Sequence, residues 1–487
     1  MSDRPNIVFL LNDHQLHYRH GWDAGPKIQR PHFERLAAQG VEFSRSYTAC
    51  PLCAPARRTM LTGLFPHRHG QIRNGPDHPF DKQTYLEKLS DAGYRNFYYG
   101  KWHAGPGTAH DFGCEGFSYP GYNNPYTKPE YKDYLQRRGL PEPEMLIHQN
   151  FGLTKWKPGD HYIPNMPCSF GYETGILETP DDTHEAFFLA NLACDQLRHL
   201  AKDKDGRPFA LRVDFWGPHQ PYFPTQRFAD LYRAPEIPEY PSFQSDLSDK
   251  PDVYRRGGNC PMTDQDGNII HPNPIPWSEW QRALALCYAH VTMVDAAGGL
   301  ILDALDELGL SENTLVVWTS DHGDALGCHG GRFDKGSYMP EELLRVPFAM
   351  RFPGMIPSGQ VRDELVSTID IAPTLLDAAG TGFNGSVDGE SLLSIAVGGR
   401  ESWRESLMCE THGHFEKHFA RAVIVGRHKY VENLGQMDEL YDLETDPYER
   451  TNLINNQACQ ETLSAVRKCL AEWRSTTADY DTSTDSA

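Results

Sequence analysis

The sequence predicts an α/β fold: a large, mostly parallel sheet flanked by helices, with a small C-terminal α+β domain. Three observations predict it. Short apolar, β-rich runs at Asn6–Leu11, Phe209–Phe215 and Thr314–Thr319 each end in polar or charged residues. Helical patterns lie between them, notably Arg282–Leu305, where apolar residues recur at three- and four-residue spacing. After Gly380 the pattern changes to shorter strands and one closing helix. Functional groups of such sheets gather beyond the carboxyl ends of the strands, so Asp13, His219, Asp321 and His322 are expected to meet despite their separation in the chain.

The elements follow in order. The opening MSDRPNIVFLLND carries an apolar run too short for a secretory signal, and the run leads directly into Asn12-Asp13-His14. It reads as a first buried strand, and the expected location is cytoplasmic. Residues 120–175 and 221–277 are rich in Pro, Tyr, Asn and Gly and are expected to be long loops that form pocket walls. RAVIVGRHKYVENL and DELYDLETD read as an antiparallel strand pair, and Ala458–Trp473 reads as a helix. The tail from Ser475 is polar and acidic and is expected to fray. The expected division is a catalytic domain over 1–380, an α+β subdomain over 381–474, and a tail over 475–487.

Composition excludes some functions. In 487 residues, 46 Lys and Arg stand against 66 Asp and Glu, a formal charge of −20. A nucleic-acid binder needs a basic face, so no nucleic-acid partner is expected. No run reaches the roughly 20 apolar residues of a membrane span, so no membrane partner is expected either. The 11 cysteines are odd in number and scattered, which argues against a disulfide scaffold. Cys50 and Cys53 form one CxxC pair, weak as a zinc or redox signal without a second pair.

The most informative segment is residues 51–63, PLCAPARRTMLTG. Cys53 offers a thiol, Pro55 fixes the turn after it, and Arg57 follows four residues on. If Cys53 starts a helix, Arg57 lies one turn later on the same face and can hold a developing negative charge. A buried structural cysteine followed by an ordinary arginine is the competing reading.

This segment resembles the signature of the type I, formylglycine-dependent sulfatases of the alkaline phosphatase superfamily, Cys-x-Pro-x-Arg, here Cys53-Ala54-Pro55-Ala56-Arg57 and closing with Met60-Leu61-Thr62-Gly63. The likeness extends to RPNIVFLLND, to GYRNFYYGKWH with Asn96 and Tyr99 departing from the usual residues, to LDALDELGLSENTLVVWTSDHGDALGCHG, and to ELYDLETDPYERTNL. The resemblance implies an alkaline phosphatase-like fold and hydrolysis of a sulfate monoester to alcohol and sulfate. It implies that Cys53 is oxidised to formylglycine by a formylglycine-generating or anaerobic sulfatase-maturating enzyme. In the family, one hydroxyl of the hydrated aldehyde attacks sulfur, and the other expels sulfate as the aldehyde re-forms.

The resemblance also implies a divalent metal held by Asp13, His14, Asp321, His322 and modified Cys53. Oxygen ligands favour Ca²⁺. His14 stands where many relatives carry a second Asp, which makes Mn²⁺ the alternative and leaves His14 either a ligand or a hydrogen-bonding support. By the same resemblance, Arg57, His103 and His219 are catalytic and Lys101 and Lys335 neutralise sulfate oxygens, with Lys335 placed by a variable spacing. His67 and His69, equally readable as a surface turn, and His412, His414 and His418 are weaker candidates for pocket contacts, while Asp324 and His329 are expected to shape a loop. The expected substrate is a small-molecule or carbohydrate sulfate ester. Phosphonate monoester or phosphate diester hydrolysis is the alternative within the same architecture, and a non-catalytic anion-binding relative is the remaining one.

Overall fold

A computed structural model describes residues 4–17, 25–75, 78–151, 156–162, 164, 173–255, 262–263, 269–271, 275–399, 402–414 and 416–479. Its centre is an eight-stranded sheet. The strands are β1 (Asn6–Asn12), β2 (Val41–Phe43), β3 (Arg95–Lys101), β4 (Cys114–Tyr119), β5 (Phe209–Asp214), β6 (Thr314–Ser320), β7 (Phe348–Arg351) and β8 (Gln360–Arg362). Their order is β8-β2-β7-β6-β1-β5-β3-β4. All run parallel except β7, which is antiparallel to both neighbours. The three strands read from the sequence are β1, β5 and β6, side by side at the centre. Buried on both faces, they are mainly apolar rather than alternating, with Arg212 and Asp214 the charged exceptions in β5.

Helices cover both faces. The principal ones are α1 (Pro31–Ala38), α2 (Cys53–Thr62), α3 (Glu185–Lys202) and α4 (Trp277–Glu307). One apolar cluster joins Val8, Leu10, Leu211 and Val316 to α3 and α4 on one face. A second joins Ile7, Phe9, Leu11 and Val317 to Met60, Leu61 and Leu375 on the other. Helix α4 is longer than the predicted 282–305 and contains an 18-residue window of mean hydropathy 1.5. By length and composition alone it matches a membrane span, contrary to the sequence expectation, yet 89% of that window is buried inside the protein. It is packed as a core helix. Gly298 lets it approach β6: a Cβ there would lie 2.4 Å from the Trp318 ring.

The C-terminal sheet holds β9 (Ser406–Thr411), β10 (Ala420–Val425), β11 (His428–Asn433) and β12 (Glu439–Asp442), all antiparallel in that order. The predicted pair is therefore part of four strands. One face packs on Tyr47, Met339 and Leu344 of the larger unit, and the other on Leu463, Val466 and Leu470 of α5 (Gln460–Thr477). Leu392, Leu393, Ile395 and Ala396 pack in the larger unit's core, so that unit extends beyond residue 380.

Two expectations are corrected. The tail does not fray at Ser475: α5 continues to Thr477, and Asp479 is 6% exposed, bonded through both oxygens to Arg421. A charge pair, invisible to composition, anchors it; residues 480–487 lie outside the described part. Residues 120–175 are not simply loop, because they contain a helix at Pro129–Arg138 and a strand at Met145–Asn150 that pairs with Glu173–Leu177. Tyr131, Tyr134 and Leu135 are buried there, so the aromatic content signalled a core face. Parts of 120–175 and 221–277 fall outside the described residues.

Candidate active site

Cys53 is the first residue of α2, placing its thiol at the positive end of a helix. Pro55 sits in the first turn, where a missing N–H costs nothing. Gly63 ends the helix with φ 67°, a left-handed conformation that glycine adopts without strain. Every residue from Cys53 to Thr62 is buried, including Arg57 and Arg58. Arg58 is satisfied by the carbonyls of His78, Pro79 and Ala104 and stacks on Phe80.

Arg57 points under the nucleophile. Its Nε donates to Asp321 Oδ2 at 2.9 Å, and Nη1 donates to Asp214 Oδ2 at 2.8 Å and to the Lys101 carbonyl at 3.0 Å. Its Nη2 lies 3.7 Å from Asp13 Oδ1 and has no hydrogen-bond partner, so one donor remains for a further anion. Asp214 also accepts from Tyr98 and Arg212. The sequence reading missed Asp214; its signal was a charged Arg212-x-Asp214 pair on one face of an otherwise apolar strand.

The ends of β1 and β6 bring the remaining groups together. Asp13 follows β1, Asp321 and His322 follow β6, and the Asp321 amide donates to the Asn12 carbonyl. Potential ligand atoms of Asp13, Cys53, Asp321 and His322 all lie within 4.8 Å of one another, and all four residues are buried. Cys53 Sγ is 3.1 Å from His322 Nε2 and 3.8 Å from Asp13 Oδ1. His322 Nδ1 donates to the Gly323 carbonyl at 2.8 Å, which directs Nε2 into the group. A metal-binding histidine is usually oriented in this way.

His14, open in the sequence as a ligand or a hydrogen-bonding support, has polar neighbours around its ring. It has φ 69°, and its ring turns toward Gln220 Oε1 (3.0 Å), Asp324 Oδ2 (3.5 Å) and Asp334 Oδ1 (3.2 Å). It forms a group with His219 and Asp334, and its ring also meets the His322 ring edge-on at 4.8 Å. Its backbone amide still contacts Asp321 Oδ1, at 3.0 Å.

Lys101 ion-pairs with Asp13 and lies 4.3 Å over the Tyr122 ring. Lys335 bonds Asp334 at 2.9 Å and His219 Nε2 at 3.2 Å, while His219 Nδ1 donates to the Gln220 carbonyl at 2.8 Å. His103 has φ 38°, ending the extended run of β3; its ring meets Tyr122 edge-on at 6.0 Å, and its Nδ1 has no hydrogen-bond partner. Trp102 between Lys101 and His103 points away into Tyr98, Phe80 and Phe112, as alternation along an extended run requires.

The electrostatics suit an anion. Burial alone would raise Asp13, but Lys101 and Arg57 outweigh it and hold the carboxyl well below its usual range. Burial and the Asp13 charge push Asp321 up. Burial opposes charge on His322, yet Asp321 and Cys53 raise it to about 9. Burial would raise Cys53 as well, but Lys101 and Lys335 bring the thiol below its ordinary value. Burial and Lys335 lower His219 to about 3, leaving it neutral. Burial and Lys101 likewise depress His103.

The weaker candidates divide. His414 is close enough to Lys335 and Asp334 to feel both, and burial lowers it to about 4. His67 and His69 do not border the site: His67 bonds Glu410 at 2.6 Å across the two units, and His69 contacts Thr59 at 3.0 Å. His412 faces Glu410 and His418 faces Asn433. Asp324 accepts from Tyr222 at 2.9 Å, and His329 faces Glu342. Cys50 is buried with its pKa raised well up, and is absent from the Cys53 group. Asp334, Gln220 and Tyr122 are site neighbours that no spacing announced.

The sulfatase family profile matches residues 5–381, and a second, described as N-sulphoglucosamine sulphohydrolase, C-terminal, matches 327–476. The chain is 30% identical to an arylsulfatase of Clostridium perfringens, over 96% of this chain and 94% of that protein. It is 30% identical to a choline-sulfatase of Rhizobium meliloti, over 96% of this chain and 86% of that protein. The solved phosphonate monoester hydrolase of Agrobacterium radiobacter shares the fold, with TM-score 0.76 and 21% identity, covering 97% of this chain and 96% of that one. With a buried cysteine at the head of α2 among Asp13, Arg57, Lys101, Asp321 and His322, and a family match across most of its length, the chain belongs to the sulfatases, enzymes that hydrolyse sulfate esters.

Proposed function

We propose that the protein hydrolyses the sulfate monoester of a small alcohol, using Cys53 after oxidation to formylglycine and one divalent metal ion. The observation that carries this reading is the placement of Cys53 Sγ 3.1 Å from His322 Nε2 within the buried Asp13–Cys53–Asp321–His322 group. The donor set fits a divalent ion: two carboxylates crowd one another and His322 presents an oriented nitrogen. Ca²⁺ is the proposed ion and Mn²⁺ the alternative, since His14 brings no second carboxylate. Asp13, Asp321 and His322 would hold it, and it would supply Lewis-acid polarisation. Formylglycine at residue 53, made by a maturating enzyme, would supply a diol able to attack sulfur and then release sulfate.

The chain's own residues do the rest. Arg57 fixes the base of the site through Asp321 and Asp214 and keeps Nη2 for an anionic oxygen. Lys101 and Lys335 both supply positive charge that acts on Cys53. His219, neutral and oriented by its Gln220 bond, takes an acid–base part at Nε2, where Lys335 keeps it from protonating early. His103 is likewise neutral and offers an unpartnered Nδ1. Burial excludes water, so these charges act in a low dielectric. Release of 4-nitrophenol from 4-nitrophenyl sulfate by the matured wild type, and its loss in Cys53→Ala, tests the reading. Equal turnover by Cys53→Ala would remove it.

A further inference from the structure

Beside the anion site lies a cavity of about 50 Å³. That is room for about four water-sized groups. Tyr122 and His219 line both spaces, so an ester held at Cys53 can extend its alcohol into the cavity. Its walls are aromatic, chiefly Tyr126, Tyr162, Trp216 and Phe223. Polar groups line it as well: His184 and Glu185 at the start of α3, and His290 of α4.

Glu185 is 4% exposed. Its carboxylate accepts the Gly217 amide at 3.0 Å and the Trp216 amide at 3.5 Å, and among the described residues no Lys or Arg forms an ion pair with it. Burial pushes its pKa up to about 8. A carboxyl at this depth stays neutral until a cation arrives. His290 is 3% exposed and neither of its ring nitrogens has a hydrogen-bond partner, so a polar ligand remains to be satisfied.

Two ligand chemistries suit such a cluster. His184, Glu185 and His290 bring potential metal-ligand atoms within 4.8 Å. However, His184 Nδ1 already accepts the Ala186 amide at 3.2 Å, which places the ring proton on Nε2 and leaves no free lone pair. An organic cation needs no such lone pair. Aromatic faces and one carboxylate are what bind an ammonium head group out of water.

We propose that this cavity takes the ammonium end of a zwitterionic sulfate ester, with Glu185 as its counter-ion and Tyr126, Tyr162 and Trp216 as its aromatic walls. The inference rests on the sulfatase reading and deepens it, by naming the substrate class. The two ends of the site are then complementary: Lys101, Arg57 and Lys335 face the sulfate, and Glu185 faces the cation. The ester's short spacer passes between Tyr122 and His219.

The test compares kcat/KM of the matured, full-length enzyme on 2-(trimethylammonio)ethyl sulfate and on its uncharged isostere 3,3-dimethylbutyl sulfate, with 4-nitrophenyl sulfate as reference. The wild type is expected to prefer the cationic ester by at least about tenfold, and Glu185→Gln to remove most of that preference. Tetramethylammonium chloride is expected to inhibit competitively where equal sodium chloride does not, a measurement that needs no variant to fold. Equal rates on the two esters, or no competition by tetramethylammonium, would overturn the proposal. So would Glu185→Gln slowing both esters alike, since Glu185 would then be a positioning residue for the turn that carries His219. A second bound divalent ion per chain, lost in Glu185→Ala, would assign the cluster to a metal instead. Failure of the wild type on all three esters would count against the sulfatase reading itself.

Discussion

Arg57 Nε donates to Asp321 Oδ2 at 2.9 Å, tying the residue one helical turn after Cys53 to the residue that follows β6. The signature segment and the central sheet are thereby bonded directly to each other. Arg57 does not reach out of the site as a mobile anion clamp; it is wholly buried and holds Asp321 and Asp214 at once. Its fixed guanidinium places one spare donor and full positive charge under the nucleophile.

Arg57→Lys keeps the charge but cannot bond both carboxylates in the same geometry. We expect kcat/KM on 4-nitrophenyl sulfate to fall by at least about a hundredfold. Arg57→Ala takes the bonded cation from buried Asp321, while Asp214 keeps Arg212 and Tyr98, and urea unfolding should show a loss of about 3 kcal/mol. A Lys variant with wild-type kinetics would refute the positioning role.

Sulfate and phosphonate esters separate the family reading from its closest architectural neighbour. Steady-state kcat/KM should favour 4-nitrophenyl sulfate over 4-nitrophenyl phenylphosphonate. Equal or greater efficiency on the phosphonate would transfer the assignment to phosphonate monoester hydrolysis.

Removal of divalent ions should abolish turnover. After dialysis against EDTA, activity is expected to return with Ca²⁺, or with Mn²⁺ if the softer ion is the natural one. Asp321→Asn should weaken metal binding, measured by calorimetry, by at least about tenfold. Undiminished activity in metal-free buffer would show that the Asp13–Asp321–His322 group serves another purpose.

The join between the two units carries a pH signature. Burial would lower His67, but its bond to Glu410 raises it above 6.5; burial would raise Glu410, but Arg421 and its bonds to His412 and His67 hold it well below 4.5. Asp479 also faces this cluster, through Arg421. The raised histidine stabilises the fold fully below its unfolded value of 6.5, and that contribution is lost as pH rises through the folded value. The lowered carboxylate stabilises fully above 4.5, and its contribution is lost as pH falls through its own folded value. The Tm difference between wild type and His67→Gln should therefore be largest between these two values, corresponding to about 1 kcal/mol, and shrink on the alkaline side. A difference that grows from neutral to alkaline pH would contradict the pairing.

Much of this was legible in the chain because the central strands are buried on both faces: β1 and β6 spell apolar runs leading to Asp13 and Asp321-His322, and β5, apolar apart from Arg212 and Asp214, precedes His219. Cys53 and Arg57 were legible through the resemblance of Cys53-Ala54-Pro55-Ala56-Arg57 to the sulfatase signature; their one-turn spacing alone left a buried structural cysteine as the competing reading. What could not be read were partners set by packing between distant segments. Asp334 meets His14 across 320 positions of chain, and Glu185 meets the Trp216–Gly217 turn, without any local pattern to announce either. Likewise, His67 was left open between a pocket border and a surface turn, because the Glu410 that draws it to the join comes from the C-terminal sheet. The frayed tail failed for the same reason, since Arg421 is the partner that orders Asp479.

Mass analysis of the peptide carrying residue 53, taken from a preparation whose turnover of 4-nitrophenyl sulfate has been measured, tests the central claim most directly. The account predicts an aldehyde or its hydrate in place of the thiol, in a fraction that tracks specific activity across preparations. An unmodified thiol throughout a fully active preparation would contradict it.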